Sequence, residues 1–439
     1  MQMTGPNSRT AKGSVFLLAL GLFALVNAGL VALQPLRPMP VERIPTKPTW
    51  ESHRTRDFMA GAQAPDAVLF GSSLMMIPTA CRDADYLNVT IDPVVHPYSQ
   101  YMQAKIAEKT GMQLKCFNFA LPGGMISDHY MIVSSLFSNE RKPKLAIFGL
   151  SLRDFIDSGV ECAAATPAYH YFSRFKSESE IDSLLLLSMP SIFNRGQYLA
   201  DKYIYLLGKR LQIQVMAGDA ISSAVTEMLD SSRRRGRGND GAVATSNSTS
   251  IASSKADSKN SASNSSGTKP DTNPDAALSG TEVTEGMVAL QPNAFYPWQD
   301  NSREYKKRFK GANDSTFKIQ TEYFRRMLCQ LKTEGVEVLF VNMPLTPANM
   351  ALMPRGSYDK YMALLKQTAA EQGCGLLDLN DGKTFVASNF KDPVHMNGSG
   401  GKILIDQIAE NLNKVNLSKI NLGAKRQVAA RDKAGRLSE

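Results

Sequence analysis

Short apolar runs that stop at turn residues recur along this chain. They are Asp66–Ser73 (DAVLFGSS), Leu114–Gly124 (LKCFNFALPGG), Lys144–Phe155 (KLAIFGLSLRDF), Gly335–Pro347 (GVEVLFVNMPLTP) and Gly373–Asp381 (GCGLLDLND). Each is short and bounded by Gly, Pro or small polar residues, which predicts buried strands. Between them the apolar positions recur every three to four residues. That period predicts helices over Gln100–Thr110, Met125–Ser138, Ser315–Thr333, Tyr358–Gln372 and Gly400–Leu412. Alternating strands and helices place the chain in the α/β class, with a parallel sheet covered on both faces. In such a sheet, ligands bind in the crevice outside the carboxyl ends of the strands. Polar residues just after each strand are therefore the first candidates for chemistry.

Three stretches fall outside this alternation. Ser14–Leu33 (SVFLLALGLFALVNAGLVAL) carries no charge and one Asn. About twenty apolar residues suffice to cross a bilayer as a helix. Arg9 and Lys12 precede it, so residues 1–13 are expected in the cytoplasm and everything after residue 33 outside the cell membrane. A cleaved signal peptide is the rival reading, since Val26–Ala28 offers small residues at suitable places. The Pro-rich residues 34–50 read as an extended spacer. Residues 163–231 are aromatic and amphipathic and read as a mostly helical cap beside the cleft, where Tyr and Phe stack on sugar rings, hold an acyl chain or simply close the sheet edge. Residues 232–280 are dominated by Ser, Asn, Gly and Lys, with almost nothing to bury, and read as a disordered insertion. The globular domain is then 51–415, with a basic tail at 416–439.

The chain has 439 residues and a formal charge of +9, but its Lys and Arg cluster only at Arg233–Arg237 and in the tail. No nucleic-acid surface is expected from that distribution. The five Cys lie far apart without a CxxC, so a zinc site of usual spacing is unsupported. One or two disulfides with one Cys left over, or buried free thiols, are both open. No Walker motif is present, and GSSLM lacks the second Gly of the GxSxG elbow.

Of five His, one stands in DPVHMNGSGG, three residues after Asp392 and just before the last predicted helix. A Ser nucleophile needs a base, and the base needs a group that fixes its tautomer. His395 and Asp392 follow the last strand, and Ser72 and Ser73 follow the first. A Ser at the start of a helix sits among outward-facing N–H groups that suit an oxyanion. Gly123, after the second strand, can present its N–H without a Cβ in the way. His129 is expected one turn into the next helix, on its surface or facing the cleft. His53, His96 and His170 fall in segments read as irregular, without metal-ligand spacing.

These strand ends together resemble the SGNH (GDSL-like) hydrolase superfamily. FGSS stands where that family has Gly-Asp-Ser, which implies Ser73 as nucleophile. NFALPG stands for its second block, with Gly123 as oxyanion donor, and DPVHMN for its closing Asp-x-x-His block, with Asp392 and His395 completing a triad. The third block, Gly-x-Asn-Asp, is replaced by FGLSLRD, which puts Ser151 at the oxyanion Asn position with Arg153 nearby. Loss of one such donor typically costs about a hundredfold or more in rate. The resemblance implies a three-layer α/β/α, flavodoxin-like fold with a five-stranded parallel sheet. It implies an esterase or O-acyltransferase that requires no metal or organic cofactor. Membrane-anchored branches of the superfamily, the D-alanyl-transfer protein of the teichoic-acid pathway and the alginate acetylation proteins, share the topology read here. They imply an acylated envelope glycan as substrate and a membrane-bound acyltransferase as partner. A non-catalytic SGNH-like module that binds a glycan or scaffolds an acyltransferase is the alternative.

Overall fold

The structure, a computed structural model, describes residues 8–36, 49–61, 63–138, 141–175, 182–210, most of 212–228, 289–312 and 314–416. The greater part of the spacer, the segment 232–280 and all but the first residue of the basic tail lie outside the described residues. The chain divides into two units. Met1–Pro35, Pro40–Gly208 and Thr281–Glu439 form the first, and Leu36–Met39 with Lys209–Gly280 the second. The stretch expected as a single cap is thus divided after Gly208. Of the second unit the described residues beyond Lys209 are helical.

The first unit is built on one sheet of five strands, all pairs parallel, in the order β2-β1-β3-β4-β5. The strands are β1 (Ala67–Gly71), β2 (Cys116–Asn118), β3 (Leu145–Leu150), β4 (Glu337–Asn342) and β5 (Gly375–Asp378). Each lies inside one of the predicted runs. The central strands β1 and β3 are buried at every residue, which is why they read as continuous apolar runs instead of alternating ones. Register sets Phe70 beside Phe148 and Phe148 beside Phe340. The first two rings stack 4.7 Å apart between centroids, at 9°. A fully buried Phe in such a ladder contributes about 3 kcal/mol by area, and Phe148→Ala would cost about 3–5 kcal/mol.

The helices, in chain order, are α1 (Ser8–Leu33), α2 (Trp50–Ala60), α3 (Ser73–Leu87), α4 (Gln100–Thr110), α5 (Ile126–Leu136), α6 (Arg153–Ile156), α7 (Pro167–Phe172), α8 (Ser183–Ser188), α9 (Ile192–Tyr203) and α10 (Tyr205–Gly208). Past the undescribed segment come α11 (Ser302–Lys310), α12 (Asp314–Thr333), α13 (Pro347–Met350), α14 (Ser357–Gln372) and α15 (Gly398–Glu410). Helices α3, α4 and α15 pack on one another. Across the sheet α5 and α12 pack together, with Phe324 of α12 against Phe340.

The five predicted helices are present. The pattern missed α2 and α11, because charges outnumber the residues that anchor them; in α11 only Tyr305 and Phe309 are buried. His53 and His170 are accordingly helical, not irregular. All five Cys are free, with Cys81 and Cys116 buried. His129 departs from its expected place: it is fully buried, with its ring 5.7 Å from Phe70 and 6.3 Å from Phe148. Burial lowers its pKa to about 3, so it is held neutral.

Among the described residues, one helix is long and apolar enough to cross a membrane. It is Val15–Leu33 of α1. Its 19 residues rise about 28 Å at 1.5 Å each, close to the hydrocarbon thickness of a bilayer. None of that window is buried in protein, and Phe16 and Leu18 are 66% and 72% exposed. So much apolar surface is unfavourable in water and stable in lipid.

Candidate active site

In the order 2-1-3-4-5 the chain reverses direction across the sheet between β1 and β3, the point at whose carboxyl ends open α/β sheets bind their ligands. Three candidate segments meet at that edge. β1 stops at Gly71, whose φ of +144° is open to few other residues. A Cβ there would lie 2.6 Å from the Gly149 carbonyl oxygen on the neighbouring strand. Only glycine lets β1 and β3 stay this close at their ends. Ser72 then caps α3: it is fully buried, and its Oγ accepts from the Leu74 N–H at 3.5 Å. That leaves Ser73 as the first helical residue, with its own N–H among those that have no intrahelical acceptor.

Ser73 Oγ lies 2.9 Å from His395 Nε2, and His395 Nδ1 lies 2.7 Å from Asp392 Oδ2. The other carboxylate oxygen, Oδ1, accepts from the N–H groups of Val394 at 2.9 Å and His395 at 2.8 Å. Burial pushes the Asp392 carboxyl upward, but the hydrogen bonds from the His395 ring and these N–H groups outweigh it and hold the pKa below its ordinary value. The carboxylate is therefore ionised at neutral pH. With its two oxygens used differently, one fixes the loop and the other fixes the imidazole.

The loop that carries this pair is a narrow ribbon. Lys391 N–H donates to the His395 carbonyl at 2.9 Å, and Thr346 Oγ donates to the Pro393 carbonyl at 2.7 Å. Val394 and Met396 are fully buried on either side of His395 and pin its backbone. Asn397 ends the ribbon as the cap of α15, its Oδ1 accepting from Ser399 and Gly400 N–H at 3.1 Å each. The glycines that follow have a structural use. A Cβ on Gly401 would overlap the Pro78 carbonyl oxygen of α3. α15 therefore crosses directly against α3, which brings His395, one residue past that ribbon's turn, onto Ser73 at the other helix's start.

The second strand supplies the loop Leu121–Gly124. Gly124 N–H donates to the Leu121 carbonyl at 3.2 Å, with Pro122 and then Gly123 (φ +66°) between them. Pro followed by a positive-φ Gly is the pattern of a type II turn. The loop is tied to β1 through Leu121 N–H to the Gly71 carbonyl at 2.9 Å. Asn118 holds its root: its Oδ1 accepts from Ala120 N–H at 2.9 Å, and its Nδ2 donates to Thr79 of α3 at 3.0 Å.

Ser151 is not arranged as the resemblance implies. It is buried after β3, and both its N–H (2.8 Å) and its hydroxyl (3.2 Å) donate to Asp154 Oδ2. A hydroxyl has one hydrogen, and here a carboxylate takes it, so Ser151 has none left for an oxyanion. The neighbouring Arg153 is also turned inward. Its Nη1 donates to the Gly123 carbonyl at 3.1 Å and to Asp157 at 3.0 Å. Its Nη2 donates to the Gly124 carbonyl and to Asp154, each at 2.7 Å. Arg308 of α11 closes the network on Asp157 at 2.7 Å. Burial acts to lower the Arg153 pKa, but Asp154 and Asp157 outweigh it, and the pKa lies above its ordinary value. Arg153 thus holds the Gly123 loop by the carbonyls of Gly123 and Gly124. Sequence reading named Arg153 only as a nearby charge and missed Asp154, Asp157, Arg308 and Asn118. The Arg-Asp-x-x-Asp spacing, with two carboxylates one turn apart around an Arg in an otherwise apolar stretch, was the available signal.

Comparison with known proteins gives one positive finding. The model of the family described as DltD protein matches residues 242–410. That family is the membrane-anchored, SGNH-like D-alanyl-transfer proteins of the teichoic-acid pathway. The match takes in β4, β5 and the Asp392–His395 loop, and the segments bearing Ser73, Gly123 and Ser151 precede it. The chain is therefore similar to a membrane-anchored, cell-envelope family. No curated protein matches it.

Proposed function

We propose that this chain, similar over residues 242–410 to the D-alanyl-transfer proteins, is a membrane-anchored serine acyl-ester enzyme. Its globular domain faces the outside of the cell membrane. It moves an acyl group, D-alanyl being the first candidate, between an ester donor and the hydroxyl of an envelope polymer or water. One observation carries the reading: the unbroken contact Ser73 Oγ–His395 Nε2, His395 Nδ1–Asp392 Oδ2, set at the reversal point of the sheet.

The geometry supports a two-step reaction. Ser73 Oγ attacks the acyl carbonyl carbon as its proton passes to His395 Nε2. The carbonyl π electrons move to oxygen, and the oxyanion is met by the N–H groups of Ser73 and Gly123. Asp392 balances the imidazolium and keeps Nδ1 protonated. The tetrahedral centre collapses, the C–O bond to the donor alcohol breaks, and that alkoxide takes the proton from His395. The acceptor hydroxyl then gives its proton to His395, attacks acyl-Ser73, and the proton returns to Ser73 Oγ. Ser151 supports Asp154, and through it Arg153 and the Gly123 loop. The third donor of the usual site has no counterpart in this scheme, and a slow enzyme is the expectation.

Incubation of the full chain in detergent with a fluorophosphonate probe tests the proposal, with Ser73→Ala and His395→Ala alongside. Covalent labelling of the wild type that both variants lose is the expected result. The redirected Ser151 hydroxyl favours one other reading, a non-catalytic glycan-binding or scaffold module of a membrane acyltransferase system. Folded wild-type protein that takes no label would decide for that module.

A further inference from the structure

We propose that α9 and α10 of the cap lie within the outer interface of the bilayer, docked on the membrane-spanning helix through Asn27. The partner of this surface is lipid. The inference rests on α1 being the membrane span and is independent of any reaction at Ser73.

Asn27 is the one polar side chain within Val15–Leu33. Its Nδ2 donates to the Tyr203 carbonyl at 2.7 Å, and its Oδ1 accepts from the Tyr205 N–H at 2.9 Å. Tyr203 ends α9 and Tyr205 begins α10, so these are the two backbone groups on either side of the break at Ile204. A helix break exposed to hydrocarbon leaves such groups unsatisfied at a cost of several kcal/mol each. One carboxamide meets both, a pairing a break in water does not require. Asn27, Gly29 and Leu30 are correspondingly half-buried, while most of the span is exposed.

Depth follows from helix rise. Asn27 stands six residues before Leu33, about 9 Å below the outer end of the span at 1.5 Å per residue. Interfacial helices sit about 5–10 Å into the boundary between headgroups and acyl chains. The surface at that depth has the matching composition. α9 has no fully buried residue; Tyr198 packs partly on the core and Leu199 is half-buried, while Ile192, Leu199 and Tyr203 recur on one stripe at helical spacing, flanked by Phe193. Ile192 is 80% and Phe193 84% exposed, and Leu206 and Leu207 of α10 continue the patch. Arg195 and Lys202 border the stripe on one side, where anionic headgroups would lie. An amphipathic helix whose Ile192, Phe193 and Tyr203 stay exposed, hydrogen-bonded to a membrane span, has the bilayer as its natural cover.

The test uses the full chain in nanodiscs that hold one protomer each, carrying Phe193→Trp with Trp298→Phe to remove the exposed native indole, and the emission is read as the difference from the Trp298→Phe chain, which keeps the buried Trp50. Lipids brominated near the glycerol end or near the acyl-chain terminus report depth. Blue-shifted emission, quenched about twofold more by the shallow bromines, is expected; Leu206→Trp reads the same patch should Phe193→Trp fold poorly. Hydrogen exchange at the Tyr205 amide should accelerate at least tenfold in Asn27→Leu, which keeps the span apolar. Water-like emission without quenching overturns the proposal. So does a blue shift confined to discs with two protomers, which would assign the patch to a second copy. Unchanged Tyr205 exchange in Asn27→Leu overturns the docking.

Discussion

Arg153→Met tests whether the fold tolerates the Gly123 loop without its cation. The side chain is 5% exposed, and both carboxylates it holds, Asp154 and Asp157, are fully buried. Asp157 keeps Arg308 at 2.7 Å when Arg153 is lost. Among the described residues Asp154 keeps the Ser151 N–H and hydroxyl, and the carbonyls of Gly123 and Gly124 lose donors at 3.1 and 2.7 Å. Removing one member of a buried pair costs about 3–5 kcal/mol, because the other charge is stranded. For a domain of this size that loss lowers the melting temperature by roughly 8–15 °C. Adding Asp154→Asn removes the stranded charge while an amide oxygen still accepts from Ser151, and should restore about 1.5–3 kcal/mol. The pH dependence has a definite sign. Burial already raises the Asp154 pKa against the pull of Arg153. Without the Arg the folded state binds the proton still more tightly than the unfolded chain, so the deficit is small near pH 4 and grows as pH rises. Thermal melts of the full chain in detergent at pH 4.5 and 7.5, with fluorophosphonate labelling rates, measure both effects. The labelling rate should fall about tenfold or more as the loop loses its ties. A loss below about 1 kcal/mol, or a double variant no more stable than Arg153→Met, would refute the view that Arg153 neutralises Asp154.

Three further outcomes follow from the same contacts. Gly401→Ala places a Cβ in the Pro78 carbonyl of α3, so it should destabilise by about 1–3 kcal/mol and slow labelling of Ser73, with a larger residue doing worse; melts and labelling read both. Asp392→Asn should leave the melt at neutral pH within a few degrees yet cut the labelling rate by roughly a thousandfold or more, since Nδ1 loses the acceptor that fixes its tautomer. In the wild type, the contribution of Asp392, whose pKa is lowered in the fold, is present above the ordinary carboxylate value and is lost as pH falls below that value through the lowered folded one. His129, held neutral with a pKa near about 3, takes its proton in the unfolded chain first, so it erodes stability as pH falls below about 6.5. His129→Leu should flatten the stability curve there by up to about 1.4 kcal/mol per pH unit, and titrated melts of the two proteins would show no difference in slope if the ring were reached by water.

The strands, their parallel class and the main helices were determined by the chain itself, because parallel strands buried on both faces must be continuously apolar and the helices covering them must show the 3.6-residue period. β1, β3 and β4 fall inside their predicted runs for this reason, and Gln100–Thr110 begins and ends where its pattern does. The meeting of Ser73, His395 and Asp392 was legible as a placement for a related reason: these residues follow strands, and the sheet gathers strand ends at one edge. Three things needed the tertiary structure. Ser151 could be aligned with an oxyanion donor by position, but only the fold shows that its hydrogen goes to Asp154, since a hydroxyl's choice of acceptor depends on what lies within 3 Å of it. His129 looked like a surface residue because one polar residue in a helix usually is, and the Phe70–Phe148 ladder against it decided otherwise. Asn27 was noticed as the lone polar group of an apolar run, but its acceptor and donor lie 176 and 178 residues away. Local pattern fixes how a segment meets the sheet or the solvent. A single polar atom finds its partner through contacts far along the chain, which no short stretch of sequence records.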